Sequence, residues 1–95
     1  MLKIPKKFNI CGREIKVIIN KNLLKKENLL GKCIFDLNEI HIADSLVGDV
    51  LIETFYHEYL HWIFYMLDEE ELNKNEQLIN QMSSVICQYM KTKKY

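Results

Sequence analysis

Two histidines stand four residues apart, His57 and His61, with Glu58 directly after the first. On a helix that turns about 100° per residue, His57, Glu58 and His61 fall at about 0°, 100° and 40° and share one face. Tyr59 and Leu60 point elsewhere. Two imidazoles one turn apart can grip a single metal ion, and the carboxylate between them then stands beside the water the metal would activate, where it can act as a base. With 3 histidines in 95 residues, chance produces an H-E-x-x-H pattern in only about one percent of such chains. The surrounding stretch from Leu46 to Leu67 is strongly apolar, and a plain buried helix has little use for two imidazoles and a carboxylate on one face, because buried polar groups must be paired.

A catalytic zinc usually takes three protein ligands and keeps one position for water. No third histidine follows the motif, so the third ligand must be a downstream carboxylate. Glu69, Glu70 and Glu71 follow the motif helix closely. Glu76 comes fifteen residues after His61, leaving room for the rest of that helix, a turn and a return. Glu76 is the preferred third ligand, with Glu71 and Glu70 as alternatives. Asn80, one turn beyond Glu76, can offer its side-chain carbonyl to the second ring N–H of His57.

The pair H-E-Y-L-H (57–61) and E-Q-L-I-N (76–80) resembles the gluzincin pattern of thermolysin-like metallopeptidases. The layout over residues 32–90 is similar to the minimal gluzincins and small zincin-like proteins of bacteria and their phages. The resemblance implies a small antiparallel sheet, a motif helix and a glutamate helix. It implies zinc held by His57, His61 and Glu76, with Glu58 as the general base in peptide hydrolysis. Asn80 stands where that family has an acidic residue. Some minimal gluzincins are latent. The second functional reading is therefore a weak or latent zinc-binding regulatory module, one form of which has the tail Lys91–Tyr95 lying in the cleft.

The elements that must position these residues can be read from pattern. Residues 7–20 read as a hairpin, with Phe8 to Cys11 and Glu14 to Asn20 flanking a turn in which Gly12 takes a positive φ. Leu23 to Leu30 read as a short helix capped by Asn22 and ended by Gly31, with a loop as the alternative for so short a segment. Lys32 to Phe35 and Glu39 to Ala43 read as two further strands around a tight turn, with His41 on the polar face of an edge strand. Asp44-Ser45 is the expected cap of a motif helix over about 46–67, which should be the buried central helix. The acidic run Asp68–Glu71 reads as a connection, and a last helix that starts at about Leu72 or Asn75 and runs to about 91 carries an apolar stripe through Leu78, Met82, Ile86 and Tyr89. The fold class is thus α+β: three or four antiparallel strands in the N-terminal half packed on two long C-terminal helices, in a single zincin-like domain over residues 1–95.

Composition bounds the partners. The chain is neutral overall, but residues 1–35 hold nine Lys/Arg against Glu14 and Glu27, and residues 36–76 hold eleven acids against Lys74. The basic third lacks any nucleic-acid-binding motif, so nucleic acid is disfavoured as a partner and a peptide or protein substrate is expected. Cys11, Cys33 and Cys87 are distant and odd in number, which reads as small buried thiols in a reducing compartment. Met1 to Lys7 has no apolar core of signal-peptide length, and no stretch spans a membrane free of charge or histidine. The expectation is a cytoplasmic monomer or weak dimer. His41, Tyr56, Tyr65, Tyr89 and Tyr95 are the candidates for stabilising an oxyanion.

Overall fold

A computed structural model describes residues 3–95. Met1 and Leu2, the start of the stretch tested above for a signal sequence, lie outside the described residues. Strands β1 (Lys7–Ile10) and β2 (Arg13–Asn20) form the expected hairpin. Its turn holds Cys11 and Gly12 both at positive φ, the mirror-image turn whose twist matches that of paired strands. Helix α1 (Leu23–Glu27) follows, then β3 (Gly31–Ile34), a single 3-10 turn (Phe35–Leu37) and β4 (Glu39–Ala43). Helix α2 (Gly48–Met66), the short α3 (Glu70–Asn73) and α4 (Glu76–Thr92) complete the chain. The architecture is α+β, with a four-stranded sheet in the N-terminal half and two long C-terminal helices.

The sheet is mixed rather than antiparallel. Its order is β1-β2-β4-β3, and β2 runs parallel to β4 with Val17 opposite Ile40 and Ile19 opposite Ile42. After α1 the chain crosses to the far edge as β3 and turns back, so β4 is inserted between β2 and β3. This insertion puts apolar residues from both neighbours beside Ile40 and Ile42, which with Ala43 are the buried residues of β4. It also overturns the expectation for His41. Its strand is central, and the edges are β1 and β3. On the sheet's outer face the His41 ring accepts from Asn20 Nδ2 (3.0 Å) and donates to Glu39 Oε1 (2.8 Å).

Helix α2 is the middle layer. One side packs Phe55 and Trp62 onto Ile15, Ile40 and Ile42 of the sheet. The other packs Leu60 and Phe64 onto Ile79 of α4. The indole N–H of the fully buried Trp62 donates to the Glu39 carbonyl (3.3 Å), tying the C-terminal part of α2 to the start of β4. Three boundaries depart from expectation. Asp44 and Ser45 form a turn rather than a cap, and α2 starts at Gly48 after an extended Val47 that makes no capping hydrogen bond. Helix α1 ends at Asn28, in the left-handed region, and not at Gly31. The unexpected α3 occupies the end of the expected connection and the earlier of the two expected helix starts, so α4 begins at Glu76, next to the later one, where the Asn75 side chain accepts from the Leu78 N–H (3.0 Å). Among the described residues no helix is long and apolar enough to cross a membrane.

Candidate metal centre

The midpoint of α2 supplies His57, Glu58 and His61, and the first residue of α4 supplies Glu76. The turn between the helices brings them together. Helix α2 ends in a Schellman pattern, with Asp68 left-handed, the Glu69 N–H bonded to the Phe64 carbonyl (2.9 Å) and the Asp68 N–H to the Tyr65 carbonyl (3.2 Å). That reversal sends α3 back along α2, and α4 then starts opposite the motif. Asp68 occupies the position that glycine usually takes, so no glycine in the sequence announces the turn.

The ring Nε2 atoms of His57 and His61 lie 3.2 Å apart. Each is 3.1 Å from an oxygen of the Glu76 carboxylate. His57, His61 and Glu76 form a group that could hold a metal ion, each offering one ligand atom within 4.8 Å of the others. For a tetrahedral zinc with arms of about 2.0–2.1 Å, ligand atoms stand roughly 3.3 Å apart. The observed spacings match that requirement. Two imidazolium rings at this distance would repel each other, so simple ion pairing of both histidines with Glu76 is a poor use of the arrangement. Glu70 lies farther out along the same cleft, and Glu71 does not line it, leaving Glu76 as the carboxylate that meets both rings.

His61 is also fixed from behind. Its Nδ1–H donates to Asn73 Oδ1 at 2.5 Å, which leaves Nε2 with its lone pair aimed at the group. The sequence reading assigned such a role to Asn80 toward His57. Asn80 lines an adjoining hollow of about 430 Å³ with His57 and Glu58, but among the described residues its side chain makes no hydrogen bond to His57; the bond it does make is through its backbone carbonyl, which accepts from the Ser83 hydroxyl (3.0 Å). Asn73 was missed because α3 was missed.

Glu58 is buried, with 8 % of its surface exposed. Burial pushes its carboxyl above the ordinary carboxylate value, while the neighbouring His57 and His61 and a hydrogen bond from Cys33 pull it back. The group opens into a cleft of about 660 Å³ lined by Gly31, Cys33, Phe35, His57, Glu58, His61 and Tyr65 among others, with Asp68, Glu69 and Glu70 along one side. Of the oxyanion candidates, Tyr65 lines this cleft, stacked on Phe35 with ring centroids 4.1 Å apart. His41, Tyr56, Tyr89 and Tyr95 do not line it. The cleft borders the open edge of β3. The Ala43 N–H bonds the Leu30 carbonyl (2.9 Å), so in this register Gly31 and Cys33 turn their own backbone N–H and C=O away from β4 and toward that edge.

The cysteines divide by depth. Cys87 is buried, Cys33 is half-buried and Cys11 is exposed in the hairpin turn, so the expectation of three buried thiols fails for Cys11. Compared with protein families, with curated proteins and with solved structures, the chain finds no match.

Proposed function

We propose that this chain is a zinc-dependent metallopeptidase, with His57, His61 and Glu76 holding the metal and Glu58 as general base. The observation that carries the reading is the meeting of two imidazole nitrogens and one carboxylate at 3.1–3.2 Å beside a buried glutamate. The H-E-x-x-H motif and its resemblance to minimal gluzincins support the same reading. Zinc held there would supply Lewis acidity, polarising a carbonyl and bringing the pKa of water toward about 7.

The chain's own groups supply the rest. Asn73 holds the His61 ring in one tautomer. The outward backbone groups of Gly31 and Cys33 can pair with an extended peptide, which would then pass across Glu58. Glu58 takes a proton from water as the water oxygen adds to the carbonyl carbon, and returns it to the amine nitrogen as the C–N bond breaks. Its raised pKa brings it closer to the range in which a base exchanges protons near neutral pH. Tyr65 is the side chain placed to donate to the developing oxyanion.

The test is Glu58→Gln. The variant keeps its zinc and loses hydrolysis of a mixed peptide library by roughly 10²- to 10⁴-fold, the usual worth of a general base. Unchanged turnover rejects the assignment.

The weak or latent zinc module is the second reading. It is favoured by the brevity of α1, five residues where larger gluzincins have a full backing helix, which leaves the cleft open. It predicts full zinc loading with no turnover by the unaltered chain. Latency through the tail has no structural support. Lys91 pairs with Asp49 (2.6 Å) at the start of α2, Lys93 bonds Tyr95, and none of the tail lines the cleft.

A further inference from the structure

We propose that Cys33 is a positioning residue for Glu58, its thiol holding the carboxylate where a general base must stand; this rests on the metallopeptidase reading above. The inner face of β3 puts Gly31 and Cys33 against the turn of α2 that carries the motif. The Cys33 sulfur lies 3.2 Å from the Glu58 carbonyl oxygen and 3.5 Å from Glu58 Oε1, and its S–H donates to this pair of oxygens. The other carboxylate oxygen, Oε2, sits over Gly31, only 3.2 Å from where a Cβ at that position would stand. The edge strand therefore brackets the carboxylate, with a donor on one oxygen and bare backbone beneath the other.

Among the described residues, the thiol is the one hydrogen-bond donor to the Glu58 carboxylate. That matters because the carboxylate is buried and has little else to fix its rotamer. Burial, then the charge of Glu58, push the thiol pKa far up, so the sulfur keeps the proton it donates. A thiol is also a weak donor, so it can orient a base without neutralising its basicity. The sequence alone reads Cys33 as a small buried hydrophobe, yet its sulfur faces two oxygens of one residue.

The experiment compares the unaltered chain with Cys33→Ala and Cys33→Ser, all zinc-loaded, in steady-state peptide hydrolysis. Alongside it, the S–H stretching band of the metal-free protein is recorded with and without Glu58→Gln. Cys33→Ala is expected to keep its zinc and its KM and to lose kcat by roughly ten- to hundredfold, the scale of a slightly misplaced catalytic group. Cys33→Ser, which retains a donor, recovers most of that loss. The S–H band that disappears in Cys33→Ala should lie at the lower frequency of a hydrogen-bonded thiol and rise in Glu58→Gln, where the acceptor is no longer charged. An unchanged kcat in Cys33→Ala overturns the proposal and leaves the metallopeptidase reading standing. If the zinc-loaded chain cleaves no peptide, that reading fails instead. The infrared arm then decides alone: a band that moves in Glu58→Gln supports Cys33 as the holder of Glu58, and an unmoved band overturns it.

Discussion

At the scale of single residues, the site depends on which atom of each side chain is free. His61 can present Nε2 only because Nδ1 is committed to Asn73. Removing that acceptor in Asn73→Ala should weaken zinc binding by about 10- to 100-fold, the usual cost of losing an outer partner of a metal-bound histidine. Asn80→Ala should leave it unchanged. Competition against a chelator of known affinity measures both, and equal affinities for Asn73→Ala and the unaltered chain would reject the role. The three residues on the motif face were legible in the sequence because i and i+4 on any helix share a face. Glu76 was legible by chain length alone, with Glu70 and Glu71 as rivals that the structure leaves at the rim or outside the cleft. Asn73 was not legible, because its role needs a reversal made by Asp68 in a conformation usually left to glycine.

At the scale of elements, the tight point is where β3 meets α2. A Cβ on Gly31 would stand 2.9 Å from Thr54 Cγ2 and 3.1 Å from Glu58 Cγ, so strand and helix approach this closely only without a side chain there. Gly31→Ala should therefore destabilise the fold by about 1–3 kcal/mol, the range for overpacking. Thr54→Ser, which removes the Cγ2 methyl, should recover part of that loss. Urea midpoints of the single and double variants give the coupling, and strictly additive effects would contradict the contact. Both strands of the hairpin and the span of β4 follow from alternation and from the Cys11-Gly12 turn, all of them local signals. The parallel pairing of β2 with β4 is not local. It is decided by which strand can set Val17 and Ile19 beside Ile40 and Ile42, and no stretch of sequence between them encodes that choice. The same limit misplaced His41 at an edge. Likewise α2 begins without a side-chain cap, so Asp44-Ser45 attracted the boundary on propensity while packing set it at Gly48.

At the scale of the whole molecule, a three-layer stack of sheet, α2 and α4 buries acidic groups beside the site and elsewhere. Burial raises the pKa of the Cys33 and Cys87 thiols and of the Tyr56 hydroxyl above their ordinary values. Groups with raised folded values keep protons that the unfolded chain gives up. Their stabilising effect is complete below the ordinary thiol value, declines as pH rises above it, and is lost as pH passes the raised values of the folded state. Metal-free protein should therefore unfold at lower urea at pH 10 than at pH 7, and Cys87→Ala should make the decline shallower. A midpoint that rises between those pH values would contradict the burial of these groups. The tail gives a further check, because it lies at the end of α4 far from Glu76. Deleting residues 93–95 should leave zinc content and turnover as they were, whereas a gain in turnover would show that the tail blocks the cleft.

The most direct measurement is the ratio of zinc to protein, by elemental analysis of protein purified without chelator, with Glu76→Ala prepared in parallel. Close to one zinc per chain is expected, with a large loss in the variant, because two imidazoles without the carboxylate make an incomplete site. Protein that carries no zinc, or a variant that retains it in full, would contradict the three-residue metal centre on which the proposed function stands.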